Sequence, residues 1–115
     1  MVPPVDAELI KGTLSLLVLC LLSRRRMYGY EIVTTVRQET DGAFEWKEGS
    51  LYPCLHKLER DGLIRSQWRG PRGGRRRKYY HLTEAGRAAL AEKAESWRRL
   101  RAAMDQILER SHERA

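Results

Sequence analysis

The sequence predicts a mainly α-helical chain with a small β-wing, namely a winged helix-turn-helix followed by one long C-terminal helix. Three observations predict this class. Apolar residues recur at helical spacing in several segments, a glycine-rich break at residues 70–74 joins two strand-like arms, and the excess positive charge surrounds that break. The resulting order is helix, helix, small strand, helix, hairpin and long helix, which is the order of a winged helix-turn-helix.

The size and charge of the chain limit its function. At 115 residues it has room for one core and for no appended catalytic module. It contains 22 basic and 15 acidic residues; seven of the basic residues and none of the acidic ones lie between Arg65 and Lys78, so the whole net charge of +7 resides in that segment. A local basic segment indicates a polyanionic partner, and a nucleic acid is favoured over a membrane surface.

The apolar run and the cysteines indicate a cytoplasmic protein with no membrane span, metal or cofactor. Leu14 to Leu22 is too short to cross a bilayer. Asp6 and Glu8 precede it in place of the basic residues of a secretory signal. Cys20 and Cys54 have apolar helical neighbours, so buried thiols in a reducing compartment are favoured over a disulfide or a metal site.

Capping and turn residues define the first two predicted helices. Asp6 is a candidate N-cap for a helix from Ala7 to Ser23, whose second half, from Leu14 onward, is apolar nearly all round. Such a helix must be covered on more than one side. A second helix is predicted from Gly29 to Thr40, and Asp41-Gly42 ends it.

A short strand and a third helix follow. Phe44 to Trp46 alternate as in a minimal strand. Gly49-Ser50 opens the third helix with the serine as N-cap, Pro53 is tolerated in the first turn, and Asp61-Gly62 ends the helix. The stripe expected to be buried consists of Leu51, Cys54, Leu55 and Leu58.

A hairpin and a long helix complete the chain. The hairpin arms are predicted at Leu63 to Arg69 and at Arg75 to Leu82. Thr83 caps the last helix, Glu84 lies at its positive end, and the residues from His112 onward are expected to fray. Residues 1–83 thus form the first helix and the winged unit, and residues 84–115 form the last helix, within one structural unit.

Five strings of residues carry a family resemblance. They are Leu9-Ile10-Lys11-Gly12-Thr13-Leu14, Tyr28-Gly29-Tyr30-Glu31, Glu48-Gly49-Ser50-Leu51-Tyr52-Pro53, Leu58-Glu59-Arg60-Asp61-Gly62-Leu63-Ile64 and Gly74-Arg75-Arg76-Arg77-Lys78-Tyr79-Tyr80-His81-Leu82-Thr83. The chain resembles the PadR family of transcriptional regulators, nearly collinearly from about residue 9 to residue 108. The resemblance implies a winged helix-turn-helix dimer that represses a neighbouring gene and releases DNA when a small molecule or stress signal arrives. The short final helix is similar to that of the compact members.

The third predicted helix is the candidate recognition helix. With its apolar stripe buried, its N-terminal part presents Ser50, Tyr52, His56 and Lys57 to a major groove. Serine, tyrosine and lysine can hold phosphates, and histidine or lysine can reach guanine acceptors. The alternative for His56 and Lys57 is a merely solvated surface.

The wing supplies the second set of candidate DNA contacts: Arg72, Arg75, Arg76, Arg77 and Lys78. These side chains cannot all point one way, because side chains alternate along a strand, so those near the glycine-rich tip are the expected phosphate or minor-groove contacts. The alternative is a charge run that only solubilises the protein. The neighbouring Trp68, Tyr79 and Tyr80 are expected to pack the wing onto the helices.

Tyr28 and Tyr30 begin the second predicted helix, where a phosphate can meet a helix N-terminus. The resemblance supports a DNA-side tyrosine at this place. The alternative is that Tyr30 makes a core or hairpin contact.

Apolar surface left over by the winged unit predicts a homodimer. Its interface is expected to join Leu14 and Val18 of the first helix to a stripe on the last one. Two recognition helices would then address half-sites about 34 Å apart in an inverted-repeat operator on double-stranded DNA. The stripe comprises Leu90, Ala94, Trp97, Leu100, Met104, Ile107 and Leu108.

Trp97 has two interpretations. It either packs the dimer interface or, by resemblance to multidrug-binding PadR members, stacks a small flat aromatic effector between subunits. Arg101, if it faced inward, would disfavour a cationic ligand.

Rival classes of function have less support. The sequence shows no nucleophile–base signature, glycine-rich phosphate loop or metal-ligand spacing, so an enzyme is not predicted. A metal sensor through Cys20, Cys54 or the histidines is possible, but nothing clusters these residues in the sequence. A winged domain that binds RNA or another protein is a further rival, but the wing here holds all of the excess charge. The charge distribution therefore favours a sequence-specific DNA-binding regulator, and the family resemblance implies that it is a ligand-responsive repressor.

Overall fold

The computed structural model describes residues 2–113 and confirms the predicted class. The described chain is mostly helical, with a small antiparallel sheet and a long last helix. In chain order the elements are α1 (Ala7–Lys11), α2 (Leu14–Leu22), β1 (Met27–Tyr28), α3 (Gly29–Glu39), α4 (Glu48–Arg60), β2 (Ile64–Arg69), β3 (Arg77–Leu82) and α5 (Glu84–Glu113). None of the helices described here is long and apolar enough to cross a membrane.

The segment from Ala7 to Ser23, predicted as one helix, forms two helices. α1 ends at Lys11 and α2 begins at Leu14, because both the N–H and the hydroxyl of Thr13 donate to the carbonyl of Ile10, at 2.8 and 2.7 Å, and close a turn. α2 packs against α3, α4, α5 and β3. This confirms that its nearly uniform apolar surface is covered on more than one side.

Two side chains of α2 differ from the prediction. Val18, expected at the dimer interface, is completely buried in the core of its own protomer. Cys20, expected to be buried, is exposed, whereas Cys54 is half-buried and its burial raises the pKa of its thiol. A helix that is apolar all round offers no stripe from which to tell its core side from its outer side. Leu14 and Leu90 both pack at the margin of the core.

The short third strand lies elsewhere than predicted. Phe44 to Trp46 forms no strand: the Trp46 side chain is buried in the core, and Phe44 packs beside it. The additional strand is β1, where Met27 pairs with Tyr80. Two residues are too few for an alternating pattern, so β1 left no signal in the sequence.

α4 begins before its predicted start. Its first residue is Glu48, and Lys47, not Ser50, occupies the N-cap position. Pro53 therefore lies beyond the first turn, where its missing N–H leaves the Gly49 carbonyl without a helical partner. Both residues are exposed, so water can take the place of that donor.

The end of α4 agrees with the prediction. Asp61 is the C-cap, and Gly62 adopts the left-handed conformation with φ of 76°. The N–H of Leu63 donates to the carbonyl of Leu58 at 3.0 Å, which completes a Schellman motif and turns the chain into β2.

The sheet has the order β1-β3-β2, and all of its pairs are antiparallel. The register places Ile64 opposite Leu82 and Trp68 opposite Lys78. Ile64, Tyr80 and Leu82 are buried, so this face of the sheet covers the helices. The wing loop closes in a type II turn, because the Gly74 N–H donates to the Pro71 carbonyl at 3.0 Å and Gly73 has a φ of 76°.

Thr83 ties the start of α5 to the end of α4. Its hydroxyl oxygen accepts the Gly86 N–H at 3.0 Å, which confirms it as a cap, and its hydroxyl donates to the Gly62 carbonyl at 2.7 Å. From this anchor α5 runs for 30 residues, about 45 Å at 1.5 Å per residue. Its side chains at residues 95–112 are all exposed. The helix includes His112, where fraying was expected, and residues 114 and 115 lie outside the described part of the chain.

Gly86 is the position at which this anchor is most sensitive to substitution. A Cβ there would lie 2.1 Å from the Leu63 carbonyl oxygen and 2.6 Å from a Leu82 methyl carbon. Because the first contact is with backbone, Gly86→Ala should lower the free energy of unfolding by roughly 1–3 kcal/mol, measured by urea denaturation.

Gly49→Ala is the matched control, because nothing lies within 4 Å of its Cβ position. It should leave stability unchanged or slightly raised. Equal midpoints for the two variants would contradict the packing described at Gly86.

Candidate nucleic-acid interface

A cationic groove lies between the start of α3, the first half of α4 and the wing. It encloses about 270 Å³, and none of its described lining residues is acidic. We call it the wing groove; it is lined by Tyr28, Gly29, Tyr52, Trp68, Arg75, Arg76, Arg77, Lys78 and Tyr80. It thus brings together residues from all three tyrosine-bearing strings, including most of the predicted wing cations.

The floor of the wing groove depends on close contact between α3 and α4. The Tyr52 hydroxyl oxygen lies 2.7 Å from the position that a Cβ would take at Gly29. Only glycine at position 29 leaves room for the Tyr52 ring in this place. Tyr52 as a whole remains 39% exposed. The contact therefore fixes where the first turns of α4 stand relative to the start of α3.

The remaining surface of α4 is as predicted. Leu51, Leu55 and Leu58 are buried and Cys54 is half-buried. The polar candidates Ser50, His56 and Lys57 are all exposed, together with Tyr52. One face of α4 therefore anchors the helix, and the opposite face presents hydroxyl, imidazole and ammonium groups.

The wing distributes its cations over two faces, as strand alternation predicts. Lys78 lies opposite Trp68, and its Nζ is 5.6 Å from the Tyr80 ring centre. Arg77 lies opposite Arg69 on the other face. Arg75 and Arg76, predicted in the second arm, lie instead with Arg72 in the exposed loop, because β3 begins at Arg77.

The other face of the wing carries an aromatic pair. The rings of Tyr28 and Tyr79 meet edge to face at 5.4 Å. The Arg77 guanidinium stacks 4.6 Å above the Tyr28 ring, which holds this cation close to the start of α3.

Trp68 is a correction to the sequence-based expectation. Tyr80 is buried and Tyr79 is half-buried, as expected of residues that pack the wing, but Trp68 is 57% exposed at the edge of the wing groove. The strand register places Trp68 on the inward face with Ile64, but toward the wing end of β2 that face lines the open wing groove and not the core. Alternation gives the face on which a residue lies, but not how far along the strand the core extends.

The tyrosines at the start of α3 have different surroundings. Tyr28 occupies the N-cap position, and its N–H donates to the Glu31 carboxylate at 3.3 Å, the part of a capping box that the N3 side chain supplies. Tyr30 is 55% exposed, which contradicts the core contact and leaves the hairpin contact as the alternative to a DNA contact.

A second surface lies along α5 and the first two helices. Leu9 is 69% exposed, and the predicted stripe from Trp97 onward is exposed as well: Trp97, Leu100, Met104, Ile107 and Leu108. Beside Trp97, a concavity of about 330 Å³ between α2 and α5 includes Leu16, Cys20 and Leu90. The Arg101 guanidinium lies 5.8 Å from the Trp97 ring centre.

Among the side chains that the structure describes, no group of three or more His, Cys, Asp or Glu is arranged to hold a metal ion.

Comparison with known proteins gives consistent results. A sequence model of the transcriptional regulator PadR-like family matches residues 18–92, which include α3, α4 and the wing. A solved transcriptional regulator from Clostridium thermocellum is 30% identical, with a TM-score of 0.82 over 89% of this chain and 96% of that one. A PadR family transcription regulator from Clostridium difficile R20291 is 37% identical, with a TM-score of 0.72 over 84% of this chain and 99% of that one. The transcriptional regulator YqjI of Escherichia coli is 36% identical over 84 residues, which cover 73% of this chain and 39% of YqjI.

The exposure of Trp68 can be measured directly. Trp97→Phe leaves two tryptophans, Trp46 at 6% exposure and Trp68 at 57%. Acrylamide should quench one part of the remaining fluorescence readily and leave another part protected. Adding Trp68→Phe should remove the readily quenched part alone; loss of the protected part instead would contradict the position of Trp68.

Proposed function

Because the chain belongs to the PadR-like family of transcriptional regulators, we propose that it is a repressor that binds a specific duplex DNA sequence as a homodimer and releases it on binding a small effector. Members of this family are regulators and not enzymes. The observation that carries the proposal is the wing groove, where an exposed face of α4 adjoins a cationic wing with no acidic residue among the described lining.

The exposed face of α4 and the neighbouring wing suit different parts of a duplex. α4 presents Ser50, His56 and Lys57 on a helix of a width that the major groove admits, and their donors can reach guanine acceptors. The wing presents guanidinium groups on a narrow hairpin, which suits phosphates and the minor groove. In the proposal, α4 selects the sequence and the wing supplies most of the affinity.

The tyrosines extend this contact along the DNA backbone. Tyr30 is exposed in the first turn of α3, where helix N–H groups and the positive end of the helix dipole favour a phosphate. The Tyr52 hydroxyl lies between α3 and the wing. Both phenols can donate to phosphate oxygens, so we assign them to orientation of the protein on the duplex.

A homodimer accounts for the exposed apolar surface. The stripe on α5 and Leu9 on α1 are too extensive for a helix that faces only water, and an isologous contact between two copies would cover both. Val18 takes no part in this interface, because it is buried within the protomer. Two copies would present two α4 helices to an inverted repeat with half-sites about 34 Å apart.

The effector site is proposed at Trp97. The concavity between α2 and α5 beside Trp97 is lined mainly by apolar side chains, as sites for small aromatic molecules are. Arg101 lies over the Trp97 ring, which favours neutral or anionic effectors over cations. A role of Trp97 in packing the dimer alone is the alternative, and a small-molecule titration of Trp97 fluorescence would distinguish the two.

The proposal is tested by fluorescence anisotropy with the duplex upstream of the gene and with a scrambled duplex, over a series of salt concentrations. We expect the upstream duplex to bind more tightly and to remain bound at higher salt. Equal binding to both duplexes that disappears together as salt rises would refute sequence-specific recognition.

Variants of the wing and of the exposed face of α4 should separate affinity from specificity. Alanine at Arg75, Arg76 and Arg77 should weaken binding to both duplexes and reduce the slope of log K against log salt by about 0.9 for each phosphate that the variant no longer neutralises. Alanine at His56 or Lys57 should instead reduce discrimination between the duplexes, by roughly 1–3 kcal/mol for each base that the side chain no longer reads. The opposite result for either set would reverse the roles assigned here.

The dimer has its own test. Leu100 and Met104 are 58% and 44% exposed on the α5 stripe, and replacing both with Glu would place charges in the proposed apolar contact. We expect sedimentation to show monomers and circular dichroism to show unchanged helix content. A mass that stays that of a dimer would place the interface elsewhere. Glu at both Ala102 and Gln106, which are exposed on the opposite face of α5 at the same spacing, is the control for added negative charge.

A further inference from the structure

The three consecutive arginines Arg24, Arg25 and Arg26 lie outside the predicted DNA contacts. They join α2 to β1, and all three are exposed. The three arginines do not act as one cluster of positive charge, because their side chains have different surroundings.

Two of the three arginines are neutralised within the protomer. The Arg24 guanidinium donates to both oxygens of Glu39, at 2.8 and 2.6 Å, and this pairing lowers the pKa of the carboxyl. Arg25 donates to Glu31 at 2.8 Å. Each of these pairs joins the α2–β1 connection to α3 and leaves no net charge to attract an anion.

Arg26 has a different environment. It faces a concavity of about 370 Å³ on the flank of the wing, together with Arg69, Arg75 and Arg77. The rest of the lining is Gly70, Pro71 and Tyr79, so no described lining residue is acidic. Within residues 2–113 no salt bridge is formed by any of these four arginines.

Four guanidinium groups around one concavity repel each other unless an anion lies among them. Guanidinium forks match the oxygens of a phosphate in bidentate geometry, and the Tyr79 phenol can add a donor. Arg77 is already held by its stacking on Tyr28, so part of the side-chain ordering cost is met before an anion arrives.

We propose that Arg26 and Arg69, with Arg75 and Arg77, form a phosphate-binding site on the flank of the wing. This inference rests on the proposed function and extends it: the site takes a backbone phosphate beyond those reached from the wing groove. Arg75 and Arg77 line both the wing groove and this site, so one phosphate strand can pass from one to the other. A free phosphorylated ligand has the same chemistry and is the other source of the phosphate.

The test compares Arg26→Ala with Arg24→Ala in the full-length protein. Both variants remove one positive charge from the same run of arginines, so long-range electrostatics change equally. Only Arg26 faces the four-arginine site, whereas Arg24 is paired with Glu39. Anisotropy with the upstream duplex over a salt series gives the salt slope, and calorimetry with inorganic diphosphate in the absence of DNA tests the second source.

If the phosphate comes from DNA, Arg26→Ala should reduce the slope of log K against log salt by about 0.9 relative to wild type. Arg24→Ala should leave that slope unchanged. If the phosphate comes from a free ligand, diphosphate should bind to the wild-type protein and to the Arg24→Ala variant, and it should fail to bind to the Arg26→Ala variant. If the two variants behave alike in both measurements, the site is refuted. Its failure is distinct from failure of the proposed function, which is read from wild-type discrimination between upstream and scrambled duplexes.

Discussion

Strand β3 pairs with β1 along one edge and with β2 along the other, and these two ladders position the start of α3 and the wing, two parts of the proposed DNA-facing surface. The first ladder joins Tyr28 to Tyr79 and so places the start of α3 beside the wing. The second ladder joins β2 to β3 and forms the wing itself. Tyr80, buried at the centre, attaches both ladders to the core. A shift of one residue in β3 would exchange its two faces, and Lys78 and Arg77 would trade sides.

Local chemistry explains which parts of the fold could be predicted from the sequence. Thr83 as a cap, Gly62 after α4 and the stripe on α4 were right because each depends on residues within one turn of it. β1 was missed because two residues carry no period and depend on a partner more than 50 positions away. The break at Thr13 was missed because the apolar pattern continues into α2 regardless of the turn.

The sequence predicted which types of residue line the candidate site better than it predicted the contacts that those residues make. Alternation along the strands correctly divided the wing cations over two faces. It could not show that Trp68 lines an open groove and not the core, nor that Gly29 makes room for the Tyr52 hydroxyl. Likewise, nothing in three successive arginines shows that Glu39 and Glu31 take the first two. These two ion pairs are tertiary contacts, and they depend on how α3 packs against the α2–β1 connection.

The same packing constrains how an effector at Trp97 would act on DNA in the proposed dimer. α2 contacts α3, α4, β3 and α5, so it links the concavity beside Trp97 to the core beneath α4, the proposed recognition helix. That core is closely packed and deforms little, whereas α5 is exposed all round from residue 95 to residue 112. A ligand between α2 and α5 would therefore tilt α5 before it deformed the winged unit. Because α5 is also the proposed dimer contact, the tilt would change the separation of the two α4 helices, and with it the match to half-sites one turn of DNA apart.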